Sequence, residues 1–386
     1  MLLFFVFTIP WQSIILFEGL GTFTRLLGLM VAGLAILNVF TLKHIKEMPL
    51  LLWLMIAFVV WSLLSYFWSV SEASTIARFI TNIQLLAMVW LIWQLCGTKN
   101  EKTAVLYAYI LGAYVSVSYL IYIYLTAQYG GFRLSLENID PNDLATTIAL
   151  GIPLSWYLLF YSKRLLGQII LFLYAPLALF SVILTASRGG LLVTLVALSV
   201  IPLIYISLDN NKKIITAVGA LIGLIFLSFN SGALFANLER NIERLQATPD
   251  MIREGDYNYR HIIWSTGLQV FREHPVIGVG AAGFRHAVEE HLHRRWAPHN
   301  AYLSVLVDTG IIGFLLFLSC FAIAAFPLLK FSYPARMAYL ILIVTLLVGM
   351  IPLGWEYQKV TWLVLSFFLL QGAFVVRDGQ LIYIKN

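Results

Sequence analysis

The feature that most constrains this chain is the recurrence of apolar runs about twenty residues long, of which LLLWLMIAFVVWSLLSYFW at 50–68 is representative. Such a run has no polar face to offer water, and as a helix it matches a hydrocarbon core about 30 Å thick. Inside lipid each backbone N–H and C=O must be satisfied within its own segment, so the runs are expected to be helical. With 60% of its 386 residues hydrophobic and 11% charged, the chain carries far more apolar surface than a water-soluble domain can bury. The expected fold class is an all-α integral membrane protein of about twelve transmembrane helices. They begin near residues 2, 20, 49, 76, 104, 143, 167, 189, 214, 301, 336 and 358. The N-terminal run MLLFFVFTIPWQSIILF has no basic region before it and no small-residue cleavage site after it, and it reads as a retained span.

The short connections KHIKE, GTKNEK, SKRLLG, NNKK and KFSYPAR are basic and alternate with poorer ones, which assigns them to the cytoplasm. Both termini then lie on that side, and residues 231–300, joining spans nine and ten, lie outside. The chain divides accordingly into spans one to nine over 1–230, an extracytoplasmic loop over 231–300, and spans ten to twelve with a short cytoplasmic tail over 301–386. Lysines gather on the cytoplasmic connections and serve as topology signals. Arginines gather outside, eight of them in the loop, where a planar guanidinium fork suits phosphate. Long loops also escape the positive-inside rule, so a solvated face is the plainer account of any one of them. A pI near 9.2 fits lipid-phosphate chemistry and membrane lipids rather than nucleic acid, because the basic residues are split between two membrane faces. Cys96 and Cys320 sit in or beside apolar runs and suggest no disulfide.

In the loop, ALFANLERNIERLQ reads as an amphipathic helix, TPDMIREGDYN as a turn-rich connection, YRHIIWSTGLQVFREH as a second helix ended by HPVIGVGAAG, and GFRHAVEEHLHRRW as a third. Together they form a helical cap. Three constellations stand out. In TASRGG, Arg188 sits at the outer junction of two spans, where a charge must be paired or snorkel, and the glycines permit a sharp turn and close approach of a ligand; an interfacial anchor is the plainer account. Tyr259, Arg260 and Trp264 open the second loop helix, whose positive end favours an anion; a solvated arginine beside a packed tryptophan is the alternative. In Pro298-His299-Asn300, Asn300 is a good helix cap and His299 is held beside a helix N-terminus, which favours the neutral imidazole that a general base needs; a structural interfacial histidine is the plainer account.

The histidines and glutamates of HAVEEHLH miss the spacing of the zinc-hydrolase motifs, and no catalytic metal or cofactor is expected. Outer aromatics such as Trp68, Trp296 and Tyr302 could stack on sugars, although an interfacial belt accounts for them as well.

These residues give the chain a resemblance to the O-antigen ligase and polymerase superfamily of bacterial membrane glycosyltransferases. It is carried by SRGG after an apolar span, RHIIWSTGLQVFREHPVIGVGAAGF, and HNAYLSVLVDTGIIG, over residues 185 to 313, with the span count and single large loop in agreement. The resemblance implies a GT-C-like enzyme of the inner membrane with its active site on the periplasmic face. It implies metal-independent, inverting transfer of a glycan from an undecaprenyl-pyrophosphate-linked donor, with Arg188, Arg260 and His299 as the catalytic residues. Tyr259, Trp264 and Asn300 would contact substrate beside them. The chain has no appended acceptor domain, which favours a ligase acting on lipid A core over a polymerase acting on a second lipid-linked glycan. A lipid-linked glycan transporter is the reading from a different class, and it would call for ionisable residues along the midplane. Asp308 is the clearest deep charge.

Overall fold

The computed structural model describes all residues except 20, 43–44, 127–132, 230–231, 233–238, 240–258, 378–379 and 385–386. The expected amphipathic helix ALFANLERNIERLQ, Glu239 apart, and the whole of the connection TPDMIREGDYN lie outside the described residues. Helices α1 (Leu2–Thr8), α2 (Phe23–Leu42), α3 (Leu50–Leu64), α4 (Glu72–Leu95) and α5 (Lys99–Thr126) are followed by α6 (Pro141–Tyr161), α7 (Leu165–Leu184), α8 (Arg188–Leu198), α9 (Val200–Tyr205) and α10 (Asn210–Phe229). Then come α11 (Arg260–Glu273), α12 (Phe284–Leu292), α13 (Ala301–Ala325), α14 (Tyr333–Gly349) and α15 (Lys359–Gln371).

Each expected span start falls inside a helix or within three residues of one. Among the described residues seven helical stretches are long and apolar enough to cross a membrane: Leu50–Trp68, Glu72–Leu95, Lys99–Thr126, Pro141–Tyr161, Leu165–Leu184, Arg188–Tyr205 and Ala301–Lys330. Four further apolar helices, Leu2–Trp11, Phe23–Leu34, Tyr333–Gly349 and Lys359–Gln371, are shorter. The protein is a predominantly helical membrane protein.

Two departures from an all-helical chain are small antiparallel hairpins: Leu16–Phe17 with Gly21–Thr22, and Ala373–Arg377 with Gln380–Ile384. The second occupies what reads in sequence as a short tail. AFVVR and QLIYI are rich in β-branched and aromatic residues and are separated in sequence by Asp-Gly, a combination that favours strand pairing over a helix.

The chain folds as two compact units. The first holds Met1–Val31, Asn100–Ala247 and Leu328–Gly349, and the second holds Ala32–Lys99, Thr248–Pro327 and Met350–Asn386. The first is centred on α6, which packs against α7, α8 and α14 and buries residues on every side, Leu144, Ile148, Leu150 and Trp156 among them. Close approach is built into its sequence: a Cβ on Gly190 would lie 2.3 Å from the Ala145 Cβ. The second unit pairs α3 with α13 and α4 with α15. Its outer part is closed by an apolar cluster of Ile263, Val270, Val279, Phe284, Val288, Leu303 and Val307. That cluster fixes α11 and α12 against the beginning of α13.

Candidate functional site

In the second unit, α11 starts at Arg260 after Tyr259, whose backbone is left-handed at φ 54°. Four residues on, the Trp264 indole Nε1 donates to the Pro298 carbonyl at 2.8 Å. That carbonyl belongs to the residue before His299, which is exposed and itself left-handed at φ 43°. A non-glycine residue there costs about 1 kcal/mol or more and persists only where the surroundings impose it. The surroundings here are on both sides. Asn300 caps α13 by accepting from the Leu303 N–H at 3.0 Å, and the Ala301 N–H donates to Met350 O at 3.0 Å. Arg260 and His299 are therefore parts of one packed unit, linked through Trp264.

Asn300 acts as the expected cap, so one of its side-chain acceptors is used by the helix. Trp264 uses its N–H to hold the chain beside His299, a role distinct from stacking on substrate. Tyr259 lies against Trp296 with ring centroids 5.5 Å apart and planes tilted by 30°, and Arg294 lies over the same tryptophan at 4.3 Å. The helix α12 covers HAVEEHL and ends at His293, left-handed at φ 52°. Its charged groups make local pairs, with Arg295 Nε donating to Glu289 at 2.7 Å and His291 Nε2 standing 3.8 Å from Glu273.

A carboxylate that sequence reading overlooked lies beneath this start of α13. Glu356 is buried and accepts from the Ser304 hydroxyl, while its Oε2 has no hydrogen-bond partner. Burial raises its proton affinity above the ordinary carboxylate range, and the positive charge of Arg78 opposes that shift. Arg78 itself stacks on the adjacent Tyr357 ring at 3.6 Å. The only sequence signal was an acidic residue beside the aromatics of LGWEY, and a surface position would have read the same way.

Arg188 belongs to the first unit. It is the first residue of α8, preceded by left-handed Ala186 at φ 48° and capped by Ser187, whose Oγ accepts from the Gly190 N–H at 2.9 Å. The turn is fastened from outside its own sequence. Ser187 Oγ donates to Asn142 Oδ1 at 2.6 Å, and Arg133 reaches both Asn142 Oδ1 at 3.2 Å and Thr185 O at 3.4 Å. Asn142 is held in turn by Asp140, which accepts its backbone and side-chain N–H groups at 2.7 Å. The structure thus puts a second arginine, Arg133, beside the SRGG turn. Nothing in its local sequence distinguishes it from an anchor residue; the Asp-Pro-Asn start of α6 was the only legible part of this support.

Among the described residues, an arginine thus stands at the head of α8 in one unit, and in the other the start of α11 is tied to the backbone beside His299. Residues 173–318 match the family model described as O-antigen ligase, a match that supports the O-antigen ligase and polymerase superfamily. The matched segment contains Arg188, Arg260 and His299. The match supports a function of the O-antigen ligase or polymerase type, with a glycosyltransferase-like activity. No curated protein and no solved structure matches the chain.

Proposed function

We propose that the protein is an inverting glycosyltransferase that moves a glycan from undecaprenyl pyrophosphate to lipid A core on the periplasmic face of the bacterial inner membrane. The observation that carries this reading is the Trp264 to Pro298 hydrogen bond, which holds the helix of Arg260 against the strained backbone of His299. An acceptor hydroxyl attacks the anomeric carbon as the bond from that carbon to the pyrophosphate oxygen breaks. The bonding pair leaves with undecaprenyl pyrophosphate, the configuration inverts in a single displacement, and His299 takes the hydroxyl proton. Arg188 and Arg260 neutralise the charge that grows on the leaving group, which lowers the barrier more than it stabilises bound donor.

The alternative acceptor is a second lipid-linked glycan, which would make the protein a polymerase. Purified protein incubated with lipid-linked donor and lipid A core, in the presence of chelator, tests the proposal by mass measurement of the product. Transfer to lipid A core is the expected result. Elongated lipid-linked glycan would assign the polymerase reaction, and no covalent product from folded protein would reject both. Activity lost with chelator and restored by a divalent ion would reject the metal-independent mechanism.

A further inference from the structure

Asp308 is buried in α13 at 1% exposure, and the reaction outlined above gives it no part. Both of its oxygens are engaged: Oδ2 accepts from the Ala282 N–H at 2.9 Å and Oδ1 from the Phe284 N–H at 2.8 Å. An ionised carboxylate serves two such donors at once, whereas an amide offers one acceptor and one donor. The two donors belong to the end of segment 275–283 and the first residue of α12, so Asp308 clamps the chain that runs between α11 and α12.

The same segment is seated in a break in α13. Gly310 departs from helical geometry at φ 65°, and the opening is filled backbone to backbone. Val279 and Gly280 N–H groups donate to the carbonyls of Val307 and Asp308 at 3.0 and 2.9 Å, and the Ile311 N–H donates to Pro275 O at 2.9 Å. On the other side, Ser65 Oγ accepts from the Ala281 N–H and Thr75 Oγ1 donates to Ala281 O, both at 2.9 Å. The clamp reaches α11 through Phe284, whose ring lies where a Cβ on Gly267 would be 2.8 Å away. From α11, the Trp264 bond reaches the residue before His299.

We infer that Asp308 is a positioning residue: by fixing both donors it sets the placement of α11, and through it the relation of Arg260 to His299. The catalytic half of this inference rests on the function proposed above, while the mechanical half does not. Two readouts separate them. Spin labels on exposed positions of α11 and α13, Ser265→Cys and Leu315→Cys, report the distance between the helices in purified full-length protein. Both native cysteines are buried. Turnover with lipid-linked donor and lipid A core reports catalysis, and binding stoichiometry for the donor reports the folded fraction.

In Asp308→Asn, one backbone donor faces the amide NH₂ group. The expected result is a broadened distance distribution and a kcat lowered at least tenfold, with binding stoichiometry unchanged. Thr75→Val, which loosens the same segment from its other side with little change of volume, gives a smaller change of the same kind, about threefold in kcat, and supplies the test if the asparagine variant does not fold. An unchanged distance distribution overturns the inference whatever the activity does. So does a broadened distribution with full activity, or a rate loss matched by lost binding sites. If the wild-type protein transfers nothing, the functional reading fails by itself, and the clamp is judged on the distance distribution alone.

Discussion

The SRGG turn of the first unit and the His299 region of the second hold their cationic side chains by different means. Arg188 is placed by a serine cap, a left-handed residue before it and a glycine that lets α8 approach α6, and its turn is fastened by the side chains of Asn142 and Arg133. His299 and Arg260 are placed by a segment wedged into a broken helix and by hydrogen bonds from residues remote in sequence. Both holds draw on residues remote in sequence, but the first is made by side chains such as Asn142 and Arg133 and the second largely by backbone N–H and C=O groups.

The largest effect is expected at the base. His299→Ala should lower transfer by roughly 10²- to 10⁴-fold while donor binding remains nearly intact, since a neutral imidazole contributes little to holding a pyrophosphate. Transfer by the wild-type enzyme should also fall on acidification, because an imidazolium cannot accept a proton. A drop of tenfold or less in rate would reduce His299 to an orienting group.

Arg188→Ala and Arg260→Ala come next, each expected to lower kcat about 10²- to 10³-fold by analogy with loss of one preorganised donor to a developing oxyanion. Measured together, they test whether the two arginines act on one leaving group. A double variant no worse than the poorer single one indicates a shared anion, and strictly multiplicative losses indicate independent contacts.

Paired glycine replacements compare how the units are built. In Gly310→Ala the new Cβ would stand 2.2 Å from the Val276 carbonyl oxygen, at a backbone angle of φ 65°; strain and overlap together should cost about 3 kcal/mol or more. In Gly190→Ala the overlap is with the Ala145 Cβ at 2.3 Å, at a helical position, and α8 can shift, so about 1 to 3 kcal/mol is expected. Thermal unfolding of the two variants in detergent decides the order. A larger loss from Gly190→Ala would contradict the view of the second unit as the more interlocked.

Trp264→Phe keeps an aromatic ring but removes the donor to Pro298, and about a tenfold loss of kcat with little change in donor affinity is expected from one lost hydrogen bond. An increase in donor KM without loss of kcat would instead make Trp264 a substrate contact.

The smallest effect concerns Glu356, whose carboxyl is held above its ordinary range by burial. A group that binds its proton more tightly when folded contributes stability at low pH. That contribution declines as pH rises from the unfolded carboxyl range through the raised value. Glu356→Gln should flatten this part of the stability profile measured by thermal unfolding. An unchanged slope would assign it to other groups.

The sequence by itself determined the membrane class, the stretches in which helices lie, the cap at Asn300, the two loop helices read in YRHIIWSTGLQVFREH and GFRHAVEEHLHRRW, which the structure forms over Arg260–Glu273 and Phe284–Leu292, and the segment in which the family pattern lies. Those features are written in hydropathy runs and in capping residues within a few positions of their partners, which is why they are legible one stretch at a time. The sequence also flagged Asp308, as the clearest deep charge. Only the tertiary structure supplied that partner, in the N–H groups of Ala282 and Phe284, and only it revealed Arg133 at the SRGG turn, Glu356 beneath α13 and the use of Trp264 as a support for Pro298. The C-terminal hairpin reads as a tail because strand pairing needs both strands to be seen together. Ser65 and Ala281 are 216 positions apart, and a backbone donor carries no residue-type signature that could announce such a bond. Local order is set by neighbours in sequence, but the hold on His299 is set by neighbours in space.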